Sequence, residues 1–163
     1  MAMTIKKILV PIAFTDNCEV AKDTADEIAK RFQAEVKLFH VVETSPYEVY
    51  MQRGIMENVP LYERVGVSLP SSGSKFIIKD VLEETRNELN RIAKAKTTGI
   101  QYAMEVAQGY SVDEILRQIE SYHPDLVVMA THGRTGMKHM VLGSVTEKVV
   151  RLARVPVLTV PMQ

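Results

Sequence analysis

Between Ala130 and Glu147 the chain places Gly133, Gly136, Gly143 and Ser144, with Arg134, Lys138 and His139 among them. These residue types suit the holding of an anion. Glycine lets a backbone approach a ligand closely and adopt positive φ. The first amides of a helix, aligned with its dipole, favour phosphate. The positive or ionisable side chains add to that field. Ser144 and Glu147 have capping-box spacing, which predicts Ser144 as the N-cap of the helix that follows. Gly and Ser around a strand–helix turn are also ordinary punctuation, so local spacing leaves both readings open.

Other chemistries find no support. There is no G-x-x-x-x-G-K-[ST] phosphate loop, no kinase signature set and no G-x-S-x-G nucleophile context. His40, His123, His132 and His139 show no metal-ligand spacing with Cys18. His132 can touch a phosphate or, more commonly for such a residue, make a local backbone hydrogen bond. A binding protein is therefore expected over an enzyme.

The 163 residues, 46% of them hydrophobic, suit a single globular domain. The formal net charge of zero argues against a nucleic-acid binder held by bulk charge. Cys18 is the sole cysteine, so no intrachain disulfide can form. That fits a reducing compartment. Met1–Lys7 shows no signal-peptide pattern, and no apolar run is long enough to span a membrane. A cytoplasmic protein is the expectation.

The elements that must position the glycines can be read in order. Ile8–Ile12 reads as a buried first strand. A helix from about Cys18 to Phe32 carries Ala21, Ala25, Ile28, Ala29 and Phe32 on one face, with Asp16 and Glu19 at cap-box spacing. Val36–Val42 is a second strand, interrupted by Lys37 and His40. From Glu43 to Ser74 Pro and Gly recur; a short helix near Tyr47–Met56 and a mobile Ser71–Gly73 are expected. This segment reads as a lid, a partner contact or an insertion covering the sheet. A long helix follows, about Lys75 to Ala95, with Ile78, Leu82, Thr85, Leu89 and Ile92 as its stripe. Ile100–Ala107, with its polar Gln101 and Glu105, suits an edge strand. Ser111–Glu114 has capping-box spacing and opens a helix to about Tyr122, stopped by His123-Pro124. Leu126–Met129 is a strand apolar on both faces. Val145, Val149, Leu152 and Ala153 form the next helix's apolar face, and Val157–Val160 is a last strand.

Strands alternating with helices give an α/β fold, a five-stranded mainly parallel sheet with helices on both faces, Rossmann-like or flavodoxin-like. The most apolar strands, first and fourth, belong at the centre. With the third strand polar and the fifth carrying Pro156, the order 3-2-1-4-5 is the natural arrangement, with a switch point between strands 1 and 4. The turn after Pro11 and the Ala130–Ser144 loop then face each other across one crevice.

The Ala130–Ser144 segment closely resembles the nucleotide-binding end of universal stress proteins, and the resemblance extends from KKILVPI to VPVLTVP. ATP-binding members of that family carry Gly, two residues, Gly, nine residues, Gly, then Ser or Thr. Here the second and third glycines and the hydroxyl match as Gly133, Gly143 and Ser144, while the first is Ala130. The resemblance implies an adenine nucleotide (ATP, ADP or AMP, with or without Mg) as ligand. It implies that Pro11, Ile12 and Ala13 border adenine and ribose, and that Val41 packs on the adenine. Ala130, Gly133 and Arg134 would lie beside ribose and phosphates. Gly143, Ser144, Val145 and Thr146 would bind phosphates through amides and hydroxyls. ATP-binding relatives usually carry an acid where this chain has Ala13, so a ribose contact is lost.

The last strand is a sheet edge, and edges invite pairing. The resembled family often pairs this strand across a two-fold axis, which implies a homodimer through Val157–Val160. The expected function is a nucleotide-responsive dimeric regulator with a protein partner still to be identified. Competing expectations are an interaction module that binds no nucleotide, and a slow ATPase or phosphotransferase.

Overall fold

In the computed structural model, residues 4–14, 19–43, 74–94, 99–131 and 142–161 are described, with side-chain surroundings in the 74–94 helix from residue 82 onward. The expectations for Asp16, Tyr47–Met56 and Ser71–Gly73 lie outside these residues, and that for the Ile78 side chain lies outside the described surroundings.

Strand β1 (Lys7–Pro11) is the centre of the sheet. Ile8, Leu9 and Val10 are all fully buried, which an alternating strand could not achieve without cover on both faces. β2 (Glu35–Glu43) lies on one side and β4 (Leu126–Ala130) on the other. β3 (Tyr102–Gly109) and β5 (Val157–Val160) close the two edges, giving five parallel strands in the order β3-β2-β1-β4-β5. The polar composition of β3 matches its edge position.

The four helices among the described residues divide by face. Helices α1 (Glu19–Phe32) and α2 (Ser74–Lys94) cover one. Ala21, Ala25 and Ala29 form a small stripe on α1 that lets it approach Ile8, Val10 and Val128, with Leu89 and Ile92 of α2 beside them. Helices α3 (Ser111–Tyr122) and α4 (Ser144–Leu152) cover the other, where Ile115, Ile119 and Val149 pack on Leu9, Phe39, Val127 and Met129. Each such aliphatic side chain contributes about 1.5–3 kcal/mol on burial. Phe32 and Leu152, expected on apolar faces, are instead largely exposed at helix ends.

One expected cap is wrong in this part of the chain. The N-cap of α3 is Tyr110, in extended conformation and with no side-chain cap bond. Ser111 is already helical, and its hydroxyl donates to Glu43 Oε1 at 2.6 Å. The other end behaves as read: His123 takes a left-handed conformation, φ 51°, and its N–H bonds Ile119 O.

A buried ion pair lies between α1 and β3. Lys22 and Asp26 are 1% and 3% exposed, and their Nζ and Oδ2 atoms are 2.6 Å apart. The Tyr102 hydroxyl donates to Asp26 Oδ1 at 2.5 Å.

On the α3 face, at the amino ends of the strands, Tyr122 is held between cations. Lys37 Nζ lies 4.3 Å and Lys7 Nζ 4.9 Å from its ring centroid, and its hydroxyl donates to Glu35 Oε1 at 2.8 Å. Burial, and then the Glu35 carboxylate, holds the Tyr122 phenol well above the usual tyrosine range. The native state therefore keeps its proton where an unfolded tyrosine loses it, from about pH 10 upward. That contribution is complete below pH 10 and lost as pH climbs through the native value. Tyr122→Phe is expected to cost about 0.5–1.5 kcal/mol at neutral pH. It should also flatten the alkaline fall of stability, which denaturant titrations from pH 8 to 11 would measure; an unchanged alkaline slope contradicts this.

Candidate functional site

The strand order reverses between β1 and β4, whose pairing is confined to Ile8↔Leu126 and Leu9↔Val127. Beyond these the two strands part at their carboxyl ends. Such a parting, with consecutive crossovers leaving on opposite faces, is where open α/β sheets hold ligands.

The β1 side is built from Pro11, Ile12, Ala13 and Phe14. Ile12 is buried, and its N–H donates to Phe39 O at 2.8 Å. Its carbonyl lies 2.6 Å from Nδ1 of the buried His40. Phe14 packs on the imidazole with ring centroids 4.4 Å apart. Ala13 is exposed between them. One residue beyond His40, Val41 ends the buried run of β2 with its side chain on the α3/α4 face.

On the β4 side the first turn of α4 is tied to the strand end by two bonds. Gly143 N–H donates to Thr131 O at 2.5 Å, and Thr146 Oγ1 donates to Ala130 O at 2.9 Å. Thr131 N–H in turn bonds Val160 O of β5 at 2.9 Å. These contacts fix the amino end of α4 at the carboxyl edge of the sheet. The first intrahelical bond runs from Glu147 N–H to Gly143 O. The amides of Ser144, Val145 and Thr146 precede it, as the opening amides of any helix do.

Two sequence expectations change here. The N-cap of α4 is Gly143, not Ser144; its φ of −64° and ψ of 150° are extended, and no side chain caps the helix. Ser144 is the first helical residue, exposed, with its hydroxyl uncommitted to a cap. The Thr146 side chain is buried, and its hydroxyl is directed at the strand carbonyl. Ala130, Gly143, Ser144, Val145 and Thr146 thus come together at one end of β4, and Pro11, Ile12 and Ala13 at the adjoining end of β1. Gly133 and Arg134, with His132, Gly136, Lys138 and His139, lie outside the described residues.

His40 is the residue that sequence reading undervalued. Its signal was available: a polar residue inside an apolar strand, next to a candidate site position. Among the described residues, no three His, Cys, Asp or Glu side chains gather to hold a metal ion. No described helix is long and apolar enough to cross a membrane.

An open parallel sheet with a helix amino terminus delivered to its switch point defines a doubly wound α/β protein. The chain belongs to the universal stress protein family, whose model matches residues 4–161. Universal stress protein MJ0531 of Methanocaldococcus jannaschii is 35% identical over 157 residues, covering 95% of this chain and 81% of its own. The solved structure of MJ0577, from the same organism, matches with a TM-score of 0.75 at 25% identity, covering 98% of each chain. A universal stress protein solved in complex with cAMP shares the fold at a TM-score of 0.60 and 20% identity, covering 97% of this chain and 98% of its own.

Proposed function

We propose that this chain binds an adenine nucleotide at the carboxyl edge between β1 and β4 and acts in the cytoplasm as a dimeric, nucleotide-responsive stress protein. The observation that carries the reading is the anchoring of α4. Its amino-terminal amides are held at the switch point by the Gly143–Thr131 and Thr146–Ala130 bonds. A helix terminus so fixed offers donors to phosphate without reorganisation. The solved relative in complex with cAMP is consistent with an adenine ligand on this fold. Any Mg2+ would be carried on the nucleotide's own phosphates.

Ala13 offers no side-chain acceptor to a ribose. The loss of such a bond weakens binding by about tenfold, so affinity in the micromolar range or weaker is expected. Dimerisation is assigned to the β5 edge. Leu158 is 38% exposed there, and Val150 and Leu152 of the adjoining α4 are 44% and 55% exposed. An open strand edge flanked by apolar side chains suits a second copy.

Calorimetric titration with ATP, ADP and AMP tests the nucleotide reading. Ser144→Ala removes a hydroxyl contact and no cap, so it should weaken binding by about 0.5–1.5 kcal/mol while leaving the ligand-free melting temperature nearly unchanged. A wild-type protein that takes up no nucleotide at millimolar concentration would end this reading, and a nucleotide-independent interaction module would replace it.

A further inference from the structure

We propose that His40 is a positioning residue that sets the β1 wall of the nucleotide crevice. The inference rests on the nucleotide reading for its ligand, and on the following geometry for its mechanism. β1 and β2 pair in parallel up to Pro11↔Phe39, and Ile12 N–H adds one more bond, to Phe39 O. The next rung of a parallel ladder would run from Val41 N–H to the Ile12 carbonyl. β1 ends at Pro11, and the Ile12 carbonyl is met by the imidazole at 2.6 Å. A side chain of β2 thus takes the place of a rung at the point where β1 leaves the sheet.

A carbonyl can only accept, so His40 Nδ1 carries the proton in this bond. His40 is 5% exposed, and a buried donor that loses its acceptor is costly to leave unpaired. The bond is therefore hard to exchange for water. Phe14 lies over the same ring at 4.4 Å and packs into the α1/α2 core. One imidazole thus fixes the backbone at Ile12 and seats the side chain at Phe14, and Ala13 is the residue spanned between them. In a site where position 13 supplies no acidic side chain, the wall contributes through backbone and shape. Its placement then matters more than its side chains do.

The test separates the bond from the bulk of the ring. His40→Asn keeps an amide donor near the place of Nδ1, whereas His40→Leu keeps apolar volume and loses the donor. Amide exchange in the ligand-free protein reads the positioning directly. In His40→Leu the amides of residues 12–14 should exchange about tenfold faster, while those of Val127–Met129 keep the wild-type rate; His40→Asn should restore most of the difference. Titration with AMP and ATP should show about tenfold weaker binding for His40→Leu and a substantial recovery for His40→Asn. Wild-type exchange at residues 12–14 in His40→Leu overturns the proposal, as does equal acceleration in both variants. If the wild type binds no nucleotide, the functional reading falls, and the exchange comparison still decides whether His40 holds the segment.

Discussion

Asp26→Ala is expected to destabilise the fold by about 3–5 kcal/mol, the range for removing one partner of a buried ion pair. The substitution removes a small side chain from a helix and puts the best helix former in its place, so propensity alone predicts a gain. Burial reverses the sign. Lys22 is 1% exposed and its Nζ lies 2.6 Å from Asp26, while Tyr102 donates its hydroxyl to the other carboxylate oxygen. Without Asp26, an ammonium and a phenol both lose the charge that satisfied them. The double variant Lys22→Met/Asp26→Leu should recover much of the loss, because it removes the desolvation cost along with the pair.

The pH dependence supplies an independent check. Burial alone would lower the Lys22 pKa, but the hydrogen bond to Asp26, and then Tyr102, outweigh it and raise it above the ordinary value. A raised native pKa means that the native state binds the extra proton above about pH 10.4, so this stabilisation is complete at neutral pH and lost at higher pH. In Asp26→Ala the burial is opposed by Tyr102 alone, and the native Lys22 pKa should fall below the unfolded value. The unfolded state then binds more protons, so the variant's deficit should shrink as pH rises toward 10. Chemical denaturation from pH 6 to 10 measures both effects. A deficit below 1 kcal/mol at pH 7, or one that grows with pH, contradicts the account.

The sheet was legible because its strands carry their burial in their composition. Ile8-Leu9-Val10 and Leu126–Met129 are apolar on both faces and central, whereas Gln101 and Glu105 mark the third strand as an edge. Caps were less legible. Capping-box spacing identifies a hydroxyl near a helix start, but the cap belongs to the residue with extended backbone. That residue is Tyr110 in one helix and Gly143 in the other, each one position earlier than the serine. The Lys22–Asp26 pair has the i,i+4 spacing of a surface ion pair. Its burial depends on Tyr102, far along the chain, and on the helices packed on that face. His40 is a similar case: its partner, the Ile12 carbonyl, belongs to another strand, and only the parallel register brings them together. Sequence spacing reports neighbours on one element; it does not report which backbone atom a polar side chain will meet across a sheet.

Leu158→Glu is expected to convert the proposed dimer to a monomer at micromolar concentration. Leu158 pairs in register with Val128, whose side chain is in the α1/α2 core, so Leu158 lies on that face at the open edge. Val150 and Leu152 are exposed on α4, which covers the opposite face. A second copy docking along β5 would bury apolar surface on both sides of the strand. Across a two-fold axis the same residue enters the seam twice, so one substitution introduces two carboxylates. Like charges brought together at an interface cost several kcal/mol, which weakens association by two orders of magnitude or more, at about 1.4 kcal/mol per tenfold. The protomer should survive, since Leu158 is 38% exposed before any partner docks and lies outside both buried clusters. Sedimentation equilibrium of wild type and variant, with thermal melts of each, reads the two quantities separately. A wild type already monomeric at micromolar concentration, or a Leu158→Glu variant that sediments with the wild-type dimer mass, removes β5 as the seam.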